Sequence, residues 1–383
     1  MTERLYDDGL LLEFDAAVTD VRKTSKGYEI ILDRSAFFPE GGGQPGDVGI
    51  IGTARVIDTY EQNGQVVHLC TSPLQIGAAV HCSVDEDIRI RRMQGHSGEH
   101  LIMGFIHKKL GLDNVGFRLG SSYVTLDLDG EISMDDLREC EQQANLAIAK
   151  DIPIRISYPD AEELAKLEYR SKLSVDEGIR IVTIEGIDRC ACCAPHFPST
   201  GSIGMVRVLS AQSYKGGTRV YILCGLDALD LFRERTETVT SISVLLSAKP
   251  EKTAEAVKKL YDENNALKKR LYDIEKAGLD ELLEGMTNDG RGSFCIFTRL
   301  SGSDLMRRAA NKAVLLTDGA VGVFSGGPGA YSYIIASENI PLKARNAEIC
   351  TALKAKGGGS DKMLQGSSAA GRDTIERFFE NFS

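Results

Sequence analysis

Three histidines and one cysteine have the residue types and the spacing needed to bind a single metal ion. In the run HSGEH at 96–100, two imidazoles stand at positions i and i+4. On a helix they would share one face and reach the same ion. The run CCAPH at 192–196 adds a cysteine and a histidine four residues apart. Imidazole nitrogen and thiolate are ligands that Zn²⁺ takes in tetrahedral sites. The sequence therefore predicts a zinc site formed by His96, His100, Cys192 and His196.

Two aspects of this site stay open at the level of the sequence. Cys190 is an alternative to Cys192, whereas Cys193 adjoins Cys192 and two neighbours in a short turn do not normally point at one ion. Four protein ligands also fill the coordination sphere, which is typical of structural zinc. The spacing alone does not separate a structural zinc from a catalytic one.

A glycine-rich run, FFPEGGGQPGD at 37–47, is the second group of residues suited to chemistry. Gly41, Gly42 and Gly43 would let the backbone approach a ligand closely, so we predict that they bind substrate. Gln44 follows them, and its amide could orient the substrate or a water molecule. Glu40 is a candidate base; Glu99 is the alternative, although its position between two ligands also suits a supporting role. A plain β-turn is the other interpretation of the three glycines.

The elements that position these residues indicate an α+β multidomain protein. Short alternating runs between turn residues predict a β-barrel-like domain over 1–90. Helical spacing over 96–110, a helix over 134–150 capped by Ser133 and another helix near 160–170 alternate with strands. This pattern predicts an α+β zinc-binding domain over 91–225.

The second half of the chain begins with a helical segment over 226–283, broken near Lys249-Pro250. Apolar residues within it follow a heptad seam with one polar position, typical either of a coiled coil or of a helical hairpin packed on itself. The seam comprises Val257, Leu260, Asn264, Leu267, Leu271 and Ile274. Residues 284–383 read as a C-terminal α/β domain containing a glycine-rich loop at 356–362.

The composition narrows the class of protein. The formal charge of −10 argues against nonspecific coating of nucleic acid, so any RNA contact would use local basic patches, for which 89–92, 258–259, 268–270 and 307–308 are candidates. Nine cysteines, an odd number, favour free thiols and a metal over a disulfide framework. The sequence has no apolar run of about 18 residues and no signal-peptide pattern, so we expect a cytoplasmic protein with no membrane segment.

These motifs, in this order, resemble the editing region of alanyl-tRNA synthetase. The family includes free-standing AlaX proteins, which hydrolyse Ser-tRNA(Ala) or Gly-tRNA(Ala). The resemblance therefore implies a zinc-dependent aminoacyl-tRNA deacylase whose partner is mischarged tRNA(Ala). It also implies a catalytic role for Ser35, which takes the place of a discriminating threonine of the family. Ala194 and Pro195 depart from the family pattern, which has Gly-Thr or Gly-Gly-Thr before the histidine.

The run KGGGSDKMLQG at 356–366 is similar to the glycine motif of the synthetase's C-terminal domain, which the DHH phosphoesterases share. The resemblance implies the long form of AlaX, tRNA contact and a homodimer formed through the C-terminal region. Because the sequence starts at the predicted barrel, we expect no aminoacylation core. Two alternatives remain: a tRNA-binding module with a structural zinc, and a DHH-type phosphoesterase relative, although the sequence contains no Asp-His-His.

Overall fold

The computed structural model describes residues 2–170, 179–286, 292–300 and 302–383. The chain forms two compact units, Met1–Thr238 and Val239–Ser383. Both combine helices and strands, so the predicted α+β multidomain class is confirmed. The predicted domain boundaries near 90 and 225 stay predictions. Within the described ranges, no helix combines the length and the apolar composition that a membrane crossing requires.

The first unit begins with a closed β-barrel. Its region of the chain contains the strands β1 (Glu3–Arg4), β2 (Glu13–Lys23), β3 (Tyr28–Leu32), β4 (Arg34–Ser35), β5 (Gly49–Ile51), β6 (Ala54–Gln62), β7 (Gln65–Cys70) and β8 (Ala79–Val84). The barrel order is β2-β3-β7-β6-β5-β8, and β1 pairs separately with β4. Residues with a period of two, such as Ala54 and Val56, point into the apolar core. The glycine-rich run lies in the loop between β4 and β5.

An α+β layer follows the barrel. Its elements are α1 (Glu86–Leu110), β9 (Asn114–Leu119), β10 (Val124–Leu128), α2 (Met134–Ala149), β11 (Ile154–Ser157), α3 (Ala161–Leu164), β12 (Ile181–Ile184), β13 (Asp188–Ala191), β14 (Val206–Tyr214) and β15 (Gly217–Cys224). One sheet has the order β14-β15-β10-β9 and the other β11-β12-β13. Leu101, Ile102 and Ile106 of α1 are fully buried in the core that α2 and the first sheet complete. This burial fixes the helix that carries the HSGEH run.

Two predicted helices of this layer have different outcomes. The helix after Ser133 is confirmed, and the Ser133 side chain accepts a hydrogen bond from the Asp136 amide. The helix predicted over 160–170 is wrong in length, because α3 spans only four residues. Asp160 caps it properly, but none of its residues is buried. Without an apolar face to pack, a short helix gains little from being extended.

The remaining elements are α4 (Gly225–Leu245), α5 (Thr253–Glu284), β16 (Phe294–Thr298), α6 (Ser303–Ala313), β17 (Ala320–Gly327), β18 (Ala330–Ser337), α7 (Asn346–Ala352), β19 (Ala355–Gly359), β20 (Met363–Ser368) and α8 (Arg372–Glu380). The break near Lys249-Pro250 is confirmed, since it lies between α4 and α5. The predicted heptad seam lies on α5 and is solvent-exposed: Leu260 is 54% and Ile274 68% exposed. The described structure therefore does not bury the seam.

The second unit contains a five-stranded sheet of order β16-β17-β18-β20-β19, with apolar clusters on both faces. The glycine-rich loop predicted at 356–362 is wrong for its first half, because Gly357 and Gly359 belong to β19, which pairs with β20. A Cβ on Gly357 would lie 2.3 Å from the Gln365 carbonyl oxygen and 2.5 Å from the Tyr333 hydroxyl. Glycine serves close strand packing here rather than a turn.

Candidate metal centre and active-site cavity

Helix α1 places the two histidines of the HSGEH run in the interior of the first unit. The side chain of Asp85 caps its first turn and Gly111, at φ 69°, ends it. His96 and His100 are each 3% exposed, and their rings stack with centroids 5.4 Å apart. Gly98 lies between them, where a Cβ would come within 2.4 Å of the Cys224 sulphur. The small residue thus lets α1 pack closely against β15.

The turn after β13 carries the other two predicted ligands, Cys192 and His196. Arg180 holds this turn, because its Nη1 donates hydrogen bonds to the carbonyl oxygens of Cys192 and Ala194, both at 2.8 Å. The Cys192 amide in turn donates to the Arg180 carbonyl oxygen at 3.0 Å. His196 is 3% exposed. Sequence reasoning missed Arg180, since its position before β12 gives no hint that it reaches the turn.

The four side chains converge on one point. The Cys192 sulphur lies 3.4 Å from Nε2 of both His96 and His196, and the ligand atoms of the four residues all lie within 4.8 Å of one another. Tetrahedral zinc with Zn–S near 2.3 Å and Zn–N near 2.0–2.1 Å separates sulphur from nitrogen by about 3.5 Å. The group therefore has the chemistry and spacing to hold a metal ion. Cys190 is not part of it, so the geometry favours Cys192 over Cys190 as the predicted ligand.

Each imidazole also has a fixed partner on its outer side. Nδ1 of each ring makes a hydrogen bond with a side chain that is itself buried: His96 with Gln44 Oε1 at 2.8 Å, His100 with Asp188 Oδ2 at 3.2 Å, and His196 with Ser97 Oγ at 2.9 Å. An N–H donated to a fixed acceptor leaves Nε2 as the free lone pair, and all three Nε2 atoms face the centre. These outer hydrogen bonds therefore orient the histidines for ligation. Ser97 and Asp188 were not predicted, because their contacts arise from tertiary packing.

The local electrostatics favour the ligating forms of two residues. Burial raises the pKa of the Cys192 thiol, but the adjacent His96 and His196 imidazoles lower it, and the resulting pKa lies well below the ordinary value. Burial lowers the pKa of His196 to about 3, although the Cys192 sulphur opposes this shift. A thiolate and a neutral imidazole are the species that bind a metal ion.

A cavity of about 540 Å³ opens onto this centre, and its wall includes His96, His100 and Cys192. Gly42 and Gly43 also line it. Both have positive φ values, of 58° and 83°, which glycine adopts most readily. A Cβ on Gly43 would lie 2.5 Å from a backbone oxygen of β9. Gly42 and Gly43 thus form part of the cavity wall in a conformation that side chains would strain, whereas Gly41 is not among the wall residues; that the three bind substrate stays a prediction.

Gln44 closes the glycine turn. Its backbone N–H donates to the Gly41 carbonyl oxygen, and its backbone carbonyl oxygen accepts from the Gly41 N–H, both at 3.0 Å. Its side chain is fully buried, and its amide nitrogen Nε2 makes no hydrogen bond within the described structure. Because Oε1 accepts from His96, this loop of the barrel is tied directly to a metal ligand.

Gln44 is not among the residues of the cavity wall, so its predicted catalytic role stays a prediction, and the other two predicted catalytic residues also lie away from this wall. Ser35 is fully buried, and its hydroxyl bonds to Nε2 of His68 at 2.8 Å and accepts from the Phe37 amide. Glu40 is exposed, and its backbone amide bonds to Thr59. Their predicted catalytic roles stay predictions, and neither side chain contacts the cavity.

The basic run at 89–92 is wrong as a free RNA-binding patch. Arg89 is fully buried and bonds to Asp47, while Arg91 pairs with Asp227 at 2.7 Å. Arg92 donates to the Gly46 carbonyl oxygen at 2.7 Å. Arg89 and Arg92 fix the end of the glycine-rich run onto α1, one to two turns before His96, whereas Arg91 ties α1 to the start of α4. Sequence alone shows their charge but not their acidic partners.

Fold and site together define a class of protein: a β-barrel followed by an α+β layer that carries a buried His₃Cys centre at the base of a cavity. Two family models match the same regions. The model for class II (A) tRNA synthetases matches residues 10–88, and the model for the second additional domain of threonyl- and alanyl-tRNA synthetases matches residues 179–221.

Similar proteins extend this match over nearly the whole chain. Alanyl-tRNA editing protein AlaX-L of Pyrococcus horikoshii is 28% identical over 96% of this chain and 94% of its own length. An alanine–tRNA ligase of Halorubrum lacusprofundi is 29% identical over 87% of this chain but 38% of its own length. Alanyl-tRNA editing protein Aarsd1-A of Xenopus laevis is 30% identical, covering 65% of this chain and 61% of that protein. The chain belongs to the alanyl-tRNA synthetase editing-domain family.

Proposed function

We propose that this protein hydrolyses the ester bond of mischarged tRNA(Ala), with Ser-tRNA(Ala) and Gly-tRNA(Ala) as substrates. The observation that carries the proposal is the convergence of His96, His100, Cys192 and His196 on one point, with the first three in the wall of a cavity. The names of the similar editing proteins support the same activity. A substrate of this kind belongs to translation, which supports a cytoplasmic location.

We propose Zn²⁺ as the ion that the four residues hold, because three imidazole nitrogens and one thiolate suit it best. A bound Zn²⁺ would supply positive charge beside the ester carbonyl of the substrate. The protein contributes the orientation of the ligands through Gln44 and Asp188. Gly42 and Gly43 leave room in the wall for the acyl group of the substrate.

A second function is supported by the same centre. Four protein ligands fill a tetrahedral sphere, as in structural zinc sites, so a tRNA-binding module with a structural zinc is the alternative. The cavity at the centre favours the enzyme, because a purely structural site needs no space beside its ligands.

A deacylation assay separates these functions. Purified protein should release the amino acid from Ser-tRNA(Ala) and Gly-tRNA(Ala) and leave Ala-tRNA(Ala) intact. The double variant Cys192→Ala with His196→Ala should lose this activity, whereas His81→Ala should retain it, because His81 is an exposed barrel residue paired with Glu13. Full activity of the double variant would refute a role of the centre in hydrolysis.

We further propose that the protein is a homodimer formed through the exposed seam of α5. Its residues Leu260, Leu267 and Leu271 are 54%, 60% and 50% exposed, an arrangement that a second α5 would cover with heptad packing. The polar Asn264 at one seam position would fix the register.

A further inference from the structure

A buried carboxylate of the cavity wall faces no arginine or lysine within ion-pair distance in the described ranges, and its recorded ion-pair contact is with the His100 imidazole at 3.9 Å. Glu99 stands on α1 between the ligands His96 and His100, is 4% exposed and lines the cavity. Burying an ionised carboxylate is costly unless a cation or several donors compensate it. Its place in the wall leaves this carboxylate open to a hydrogen-bond donor that enters from the cavity.

The orientation of the carboxylate is fixed on one side by Asn114. The Asn114 amide group Nδ2 donates to Glu99 Oε1. Oδ1 of Asn114 accepts the amide hydrogen of Gly116 at 3.0 Å, so its Nδ2 must face Glu99. The second oxygen, Oε2, lies 3.9 Å from His100 Nε2 and accepts no hydrogen bond from any residue in the described ranges. One oxygen is thus anchored and the other is available.

The other charged groups of the cavity wall are already paired. Arg170 forms a two-pronged pair with Asp188, with both distances at 2.8 Å. Asp7 lies 3.2 Å from Arg180 Nε and accepts a hydrogen bond from the Tyr158 hydroxyl. Among the described wall residues, Glu99 is the carboxylate that faces no arginine or lysine within ion-pair distance.

We propose that Glu99 binds the α-ammonium group of the aminoacyl ester. The inference rests on the proposed function, and it names the group that recognises the feature common to all aminoacyl-tRNA esters. Glu99 is outside the group of four ligand atoms that converge on the metal centre, which leaves its oxygens for a ligand in the cavity. An ammonium in the cavity would donate to Oε2 and neutralise the buried charge.

The experiment compares two non-hydrolysable ligands that differ only in the charged group. One is adenosine carrying serine through a 3′-amide; the other carries glycerate, which has a hydroxyl in place of the ammonium. Titration calorimetry should show that the wild-type protein binds the seryl ligand about ten to a hundred times more tightly, the range expected for one charge-assisted hydrogen bond.

The variants assign this preference to a residue. Glu99→Gln keeps the shape and the contact to Asn114, and it should bind both ligands within about twofold of each other. Glu185→Gln removes an exposed carboxylate that pairs with Arg155, and it should retain the wild-type preference. Metal analysis should show the same zinc content in all three proteins.

Several results would overturn the proposal. A preference that persists in Glu99→Gln would assign the ammonium to the metal ion or to another residue, and loss of zinc from this variant would make Glu99 a ligand. A wild-type protein that deacylates Ser-tRNA(Ala) but binds both ligands equally would exclude ammonium binding by Glu99 without contradicting the proposed function. A wild-type protein that neither deacylates nor binds either ligand would overturn both.

Discussion

Exchange of Asp188 for asparagine perturbs the metal centre without touching a ligand. Asp188 Oδ1 accepts from Arg170 Nε, and Oδ2 accepts from both Arg170 Nη2 and His100 Nδ1. Its side chain is 3% exposed. Because both oxygens face an arginine N–H group, either orientation of an asparagine amide places a donor against a donor. The Nδ1 of His100 would then face either the amide NH₂ group, which cannot accept a hydrogen bond, or an amide oxygen, which is a weaker acceptor than a carboxylate.

The size of the effect follows from burial and from the link to His100. Breaking a buried ion pair costs about 3–5 kcal/mol, and removing the partner of a ligating histidine weakens metal binding about 10–100-fold. Asp127 is the matched control. It binds Arg219 in the same two-pronged way, at 2.6 and 2.7 Å, but is partly exposed and contacts no ligand. Asp127→Asn should cost about 1 kcal/mol or less and leave zinc affinity unchanged.

Zinc affinity can be measured by competition with a chromophoric chelator, and stability by urea unfolding of the zinc-loaded protein. We expect Asp188→Asn to change both quantities and Asp127→Asn to change mainly stability. If the two variants hold zinc equally well, the hydrogen bond from His100 to Asp188 has no influence on the metal, and our reasoning about the outer partners is refuted.

Three further predictions concern the rest of the chain. Burial lowers the pKa of His68 from 6.5 to about 4, so its neutral form stabilises the fold above pH 6.5 and this stabilisation is lost as the pH falls toward 4. Between pH 6.5 and 4, the free energy of unfolding measured in urea should change by about 3 kcal/mol less in His68→Gln than in the wild type. An unchanged pH dependence in this variant would contradict the prediction. Leu267→Asp with Leu271→Asp should convert a dimer to a monomer in sedimentation analysis. A monomeric wild-type protein would contradict dimerisation through the seam of α5. Gly98→Ala should cost about 1–3 kcal/mol by crowding the Cys224 sulphur, and unchanged stability would argue against that contact.

The sequence predicts local features of this protein well, because they depend on spacing. The i, i+4 histidines lie on α1, and the Ser133 cap begins α2 as expected. Contacts between distant segments have no such signal. Arg180, Asp188 and Asn114 became visible only in the folded chain, since each acts on residues far away in the sequence.

The wrong predictions have the same origin. Arg89 belongs to a basic run of the kind found on protein surfaces. Its partner Asp47 lies 42 residues away in the sequence, and the pair is buried. Gly357 belongs to a glycine-rich run of the kind found in loops. In the structure, its neighbours on β18 and β20 leave no space for a side chain. In both cases the tertiary environment decided between two structures that the local sequence allows.

Metal content and deacylation can be measured together in one preparation of the protein. The purified chain should contain about one zinc ion and deacylate Ser-tRNA(Ala). Removal of the ion by a chelator should abolish this activity, and stoichiometric zinc should restore it. A metal-free protein that still deacylates Ser-tRNA(Ala), or a zinc-loaded protein that does not, would contradict the central claim that the His₃Cys centre serves aminoacyl-tRNA hydrolysis.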